Sequence, residues 1–194
     1  MNIFVLHPNP KKAAKYHADK HVVKMILESV QMLYTAHWVL CYSFLSECKT
    51  PIVLSKTQKL LKTPPQMRFC KAPYQKNGLE RGYRPVHVNH PCTKWVRESK
   101  ANYMWLCDLA IALAKEHQYR YPNSKSHSCE EHALWLKLNP PPLPNKPLLH
   151  FALAMPDEYK KNDAIQSYRA FYRGSKTERG ITSSYTRRNR PHWL

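Results

Sequence analysis

The sequence predicts a mainly α fold, a single compact helical domain, on three observations. The stretch 12–38 contains no Gly or Pro and carries apolar residues at helical spacing. The stretches 93–117 and 163–173 show the same periodicity. The chain has 194 residues, 43% of them hydrophobic and 11% aromatic, which suits one domain with a real core.

Residues 1–7 are largely apolar and read as a short strand or an extended arm. Pro8 and Pro10 then precede the first helix, where proline is tolerated. That helix is expected over Lys12 to Trp38 and is the element around which the chain is organised. Wound at about 100° per residue, it puts Val22, Ile26, Ser29, Val30 and Leu33 on a broad apolar arc, with Val23, Leu27 and Tyr34 at its margins. His17, His21, Lys24, Glu28, Gln31 and Thr35 fall in a narrow polar stripe. A helix apolar over most of its circumference is buried, so the stripe must face a cleft, a ligand or another chain.

Residues 46–91 are irregular, with a short basic helix expected over 55–62 and a turn at Asn77-Gly78. Arg81, Tyr83 and Arg84 mix charge with an aromatic ring, as a loop facing nucleic acid does. A second helix is expected over Thr93–His117, with Trp95, Tyr103, Leu106, Ala110 and Ala114 on its core face. A third is expected over Ser128–Leu138, where Ser128 and Glu131 match a capping box. The proline-rich run 139–147 is a stiff, extended connector. Too little chain follows it for a second core, so 1–194 is read as one domain, with insertions at 46–91 and 122–150. A last helix is expected over 163–173 with Asn162 as N-cap. It leads into a basic-aromatic arm.

The formal net charge of +18 comes from 31 Lys+Arg against 13 Asp+Glu. Such an excess repels itself in a compact fold unless a polyanion is the partner. Double-stranded DNA is therefore the expected partner, and RNA stays open. The charge alone also admits a non-catalytic, architectural or packaging protein of a virus. No apolar run reaches the length of a membrane span, no basic amphipathic helix of the membrane-binding kind stands out, and the N-terminus does not read as a signal peptide. The six cysteines are accordingly expected to be free packing thiols in a reducing, intracellular compartment. A monomer is expected.

Phosphate-binding Gly loops and nucleophile elbows are missing from a chain with four glycines, and no cofactor is called for. His87, His90 and Cys92, with His127, Cys129 and His132, offer donors for zinc, but at spacings that match no finger. A zinc-dependent nuclease is the reading these donors would support. The predicted assignment has no metal site.

Ala18-Asp19-Lys20-His21 is followed by Glu28, seven residues after the histidine. Near the other end stands Tyr168-Arg169-Ala170-Phe171-Tyr172-Arg173-Gly174, with Lys176 beyond it. Between them Leu106 through Glu116 and Arg120 form a helix with leucine spacing that ends in Glu and Arg. Here the chain resembles the bacteriophage endonuclease V family, the pyrimidine-dimer DNA glycosylases. That family has an Ala-Asp-x-His start to its first long helix, a Glu seven residues on, and an aromatic-basic C-terminal motif. The resemblance implies a glycosylase with abasic-site lyase activity on damaged or modified pyrimidines, virus-encoded and acting in a host cell. It implies an N-terminal α-amine nucleophile, on Asn2 or Met1, with Glu28 stabilising the cationic sugar and moving protons. His21 would orient Glu28 or contact a phosphate. His17, Lys24, Arg81, Tyr83, Arg84, Tyr168, Arg169, Phe171, Tyr172, Arg173, Lys176, Arg187 and Arg188 are the expected DNA contacts. Residue 2 is Asn where the family has Thr, Leu27 and Gln31 stand where it has arginines, and the arm before the helix is longer.

Overall fold

Residues 2–9 form an extended arm, not a strand, and lead into helix α1, Pro10–Tyr16. Asn9 caps α1 by accepting a hydrogen bond from Lys12 N at 3.2 Å, and Pro10 occupies the first turn, where its missing N–H costs nothing. The computed structural model describes residues 2–45, 71–177 and 183–194, without the side chains of 41–45 and 175–177. The expected basic helix at 55–62 lies outside the described residues.

The single helix expected over 12–38 is in fact two. Helix α2, Asp19–Leu45, starts after a break at His17, where ψ swings to 136°. Neither Gly nor Pro makes this break. The buried Arg120 guanidinium donates to the carbonyls of His17 at 2.9 Å and Lys15 at 3.0 Å, acceptors a continuing helix would need. Tyr172 Oη accepts from Ala18 N at 2.7 Å and satisfies the freed donor.

The helix expected over 93–117 is also divided, into α3, Pro91–Glu98, and α4, Lys100–Arg120. Ser99 between them is extended and caps α4 by accepting from Asn102 N at 3.0 Å. The Asn102 side chain donates to Trp95 O at 2.8 Å and accepts from Leu149 N at 2.9 Å, tying both helices to the extended 139–155 segment. Helix α5 is Glu130–Leu138. Its cap position is Cys129, with no side-chain bond, so the Ser128–Glu131 capping box does not form. A 3₁₀ turn, Asp157–Tyr159, precedes α6, Ala164–Thr177. Asp163, not Asn162, meets the first turn of α6, its Oδ2 accepting from Gln166 N at 2.7 Å.

The described residues are mainly α, with six α-helices and no strand beyond one isolated Tyr74–Arg81 bridge. Gly78, with φ of +69°, makes the expected turn between those two residues. Helix α2 packs chiefly on α4, with α3 against both and α1 and α5 each packed on α4. Val22, Ile26, Val30, Leu33 and Tyr34 of α2 are buried against Tyr103, Leu106, Ala110 and Ala114 of α4, as their spacing predicts. Each large side chain so buried contributes about 1.5–3 kcal/mol. No described helix is long and apolar enough to cross a membrane.

Candidate functional site

The polar stripe of α2 is covered by other parts of the same chain. At its far end Thr35 Oγ1 accepts from Val86 N at 3.0 Å and donates to the Gln31 carbonyl at 2.7 Å, pinning the 83–90 loop over the helix. At its middle lies Glu28, whose side chain is 13% exposed, so it is reachable without being freely solvated. Its Oε2 accepts from the backbone nitrogen of Asn2 at 3.1 Å, and its Oε1 stands 3.3 Å from Lys24 Nζ. Lys24, one helical turn before Glu28, is exposed and pairs with this carboxylate.

Asn2 is held as firmly as a core residue. Its Nδ2 donates to Ala154 O at 2.8 Å, while its Oδ1 accepts from Ile3 N at 2.7 Å and lies 3.8 Å from Cys92 Sγ. A carboxamide supplies both donor and acceptor here. Asn2 thus has a fixed side chain, and its backbone nitrogen donates to Glu28. Met1 lies outside the described residues.

His90 approaches the same carboxylate from the start of α3. Burial lowers its pKa, the cationic chain terminus and His87 lower it further, and Glu28 pulls the other way. The ring is therefore neutral at physiological pH. Its Nδ1 accepts from Cys92 N at 3.2 Å, which puts the proton of the neutral ring on Nε2. Burial also raises the Cys92 thiol, which suits a packing role. Phe4 closes the side toward His21. Its ring stacks on His21 at 4.9 Å and on Phe171 at 5.9 Å, between centroids. Phe4 holds φ of +48°, a left-handed conformation that costs an aromatic residue about 1–2 kcal/mol. Ring packing keeps it there.

Asn2, Lys24 and Glu28 converge, and His21 and Phe171 join through Phe4. Several other expected DNA contacts are placed differently. His17 is fully buried at the α1–α2 break, its Nδ1 bonded to Ala13 O at 2.8 Å. Tyr168 and Tyr172 are fully buried and hold the Ala152 carbonyl and the Ala18 amide with their hydroxyls, so they are core and not a surface for bases. Tyr83 is partly buried, with its hydroxyl 3.3 Å from Cys129 Sγ. Arg81 caps the Ala72 carbonyl and lies over the Tyr74 ring, and Arg84 pairs with Glu80 at 2.6 Å. Arg169 donates to Leu6 O and sits over Trp193. Arg173 and Arg187 are exposed, and the Lys176 side chain lies outside the description.

Arg188 belongs to a buried ion network that the sequence reading missed. Arg120, fully buried, pairs with Asp19 and with Glu116, each at 2.8 Å. Glu116 also receives Arg188 through two hydrogen bonds of 2.8 and 2.9 Å. Asp19 accepts from Thr186 N and Oγ1 as well. Burial raises both carboxyls, but the bonds from Arg120 and Thr186 to Asp19, and from Arg188 and Arg120 to Glu116, outweigh it and leave both below the usual carboxylate range. The network ties the 183–194 tail to the α1–α2 break. The four-residue spacing of Glu116 and Arg120 was the signal available in the sequence.

Several of the candidate zinc donors have other partners. His132 bonds to Tyr34 and to the Tyr74 carbonyl, and Cys92 lies against Asn2 and Tyr168. No three His, Cys, Asp or Glu side chains among the described residues are grouped so as to hold a metal ion. Comparison with family models, with curated proteins and with solved structures found no match to this chain.

Proposed function

We propose that this chain is a DNA base-excision enzyme, a glycosylase with abasic-site lyase activity on damaged or modified pyrimidines. One observation carries the reading: the backbone nitrogen of Asn2 lies 3.1 Å from the largely shielded carboxylate of Glu28. Removal of Met1 turns that nitrogen into an α-amine. Such an amine has a pKa of about 7.7–8.0, low enough to leave a nucleophilic fraction near neutral pH.

In this mechanism the amine attacks C1′ of the target nucleotide. The glycosidic bond breaks, and the base departs with the bonding pair and takes up a proton. Glu28 accepts a proton from the attacking amine and stabilises the positive charge on the sugar. Loss of a second amine proton and opening of the sugar ring give a Schiff base. Loss of a proton from C2′ then expels the 3′ phosphate and cuts the strand. Lys24, beside Glu28 and exposed, is suited to a phosphate of the bound strand. Phe4, His21 and Phe171 form a ring stack beside the carboxylate, where an extruded base has an aromatic face to meet.

The test is borohydride trapping on a duplex with one abasic site, using the native protein and Glu28→Gln. A covalent adduct mapped by mass spectrometry to an Asn2 N-terminus, with strand cleavage lost in the variant, is the expected result. An N-terminus that retains Met1 together with no adduct overturns the reading. Tight, salt-sensitive binding without an adduct would instead support a non-catalytic DNA-binding protein.

A further inference from the structure

A cleft of about 630 Å³ lies between α1 and α4, away from the Glu28 carboxylate. Its rim carries Lys11 and Lys15, one turn apart on α1, and Lys115 on α4. All three are exposed and make no ion pair among the described residues. The two acids in the lining are already engaged: Asp108 by Lys137 at 2.6 Å, and Glu116 by Arg120 and Arg188. At the end of the cleft the Arg188 guanidinium lies 3.9 Å over the half-exposed ring of Tyr119. The cleft therefore presents three uncompensated cations on a floor of Ile111 and Ala112.

The arm ties this cleft to the Glu28 site. Asn2 sits at the carboxylate and Asn9 lines the cleft. Between them the arm is pinned by Arg169 to the Leu6 carbonyl at 3.0 Å and by Trp105 to the Pro8 carbonyl at 2.7 Å. Seven residues of chain span at most about 25 Å, so the two sites are no further apart than about seven base pairs of duplex.

We infer that the α1–α4 cleft is a second docking surface for nucleic acid, in which Lys11, Lys15 and Lys115 hold backbone phosphates of the duplex flanking the nucleotide at Glu28. The inference rests on the DNA reading above. It adds an anchor that carries affinity without sequence information, because lysines on phosphates set position and not base choice. The charge argues for a polyanion: three unpaired cations on one rim gain most from a partner that releases counterions.

The test compares the native protein with Lys11→Gln/Lys15→Gln/Lys115→Gln and with a control triple, Lys76→Gln/Lys125→Gln/Lys146→Gln, drawn from exposed lysines elsewhere. All six positions are on the surface, and circular dichroism checks the fold. Affinity for a duplex of about 30 base pairs with a central abasic site is measured against salt, and the slope of log K on log salt is expected to fall by about 2–3 in the cleft triple, at about 0.9 per lost phosphate contact. The control triple is expected to keep most of its slope. Equal losses in the two triples, or an unchanged slope in the cleft triple, overturn the inference. So does loss of poly-glutamate binding by the cleft triple with the duplex slope intact, since the cleft then fits an acidic protein. Borohydride trapping at saturating protein is read separately: an adduct kept by the cleft triple separates the anchor from the chemistry, whereas absence of adduct in the native protein strikes the lyase reading and leaves the slope comparison valid.

Discussion

Arg120 is the residue whose loss should cost most. It is fully buried and neutralises two buried carboxylates while capping two carbonyls at the α1–α2 break. Arg120→Met is expected to destabilise the fold by about 3–5 kcal/mol, because it leaves charge in the interior short of its partner. The urea midpoint checks this. The same network predicts acid sensitivity. Asp19 and Glu116 have folded pKa values below their ordinary 3.8 and 4.5. Their contribution is full above those values and is lost as pH falls through the folded ones, so the thermal midpoint should drop between about pH 5 and pH 3. Glu28 could be found in the sequence because helical spacing puts it on a polar stripe of an otherwise apolar helix. Asn2 entered only through the resemblance, since what makes it notable is a nitrogen aimed at a residue 26 positions away. Tyr168 and Tyr172 were legible in a way the reading did not use. Their spacing of four marks a buried helix face, but the arginines among them pulled the reading toward a surface.

At the scale of elements, the long helices were legible and their breaks were not. Periodicity reports which face is apolar, and it continues smoothly through His17 and Ser99. The α1–α2 break is imposed by a guanidinium 103 residues away in sequence, at the His17 carbonyl, and no local signal announces it. The α3–α4 break has a local device in Ser99, whose hydroxyl caps α4. Ser99→Ala is expected to cost about 1 kcal/mol, read from the denaturant midpoint. Helix α6 carries a further constraint. A Cβ at Gly174 would run into the Tyr159 ring from the 3₁₀ turn. Gly174→Ala should therefore destabilise by about 1–3 kcal/mol despite the better helix propensity of Ala, and Tyr159→Ala should relieve the clash in a double-mutant cycle.

The whole molecule carries a formal net charge of +18, from 31 Lys+Arg against 13 Asp+Glu. Self-repulsion of that size predicts that duplex DNA raises the thermal midpoint, by an amount that shrinks as salt is added. Differential scanning fluorimetry with and without duplex measures it. An unchanged midpoint would count against any nucleic-acid partner. A second whole-molecule effect arises from histidines. Burial lowers His90, His127 and His132, so all three stay neutral in the fold while the unfolded chain protonates them near 6.5. The unfolded state then binds more protons below that value, and stability should decline as pH falls from about 7 to 6, before the carboxylates respond.

The tail that seals the Asp19–Arg120–Glu116 cluster also sets a limit on the order in which the molecule can be finished. A growing chain makes α1, α2 and α4 before it makes Thr186 and Arg188. Until they arrive, Asp19 and Glu116 share a single guanidinium, and the junction stays short of its full set of bonds. Sealing of the junction therefore waits until residues 186–188 have been made. A stop codon before Thr186 would strand the nascent protein with its junction unsealed, as a substrate for proteases instead of a shorter version of itself.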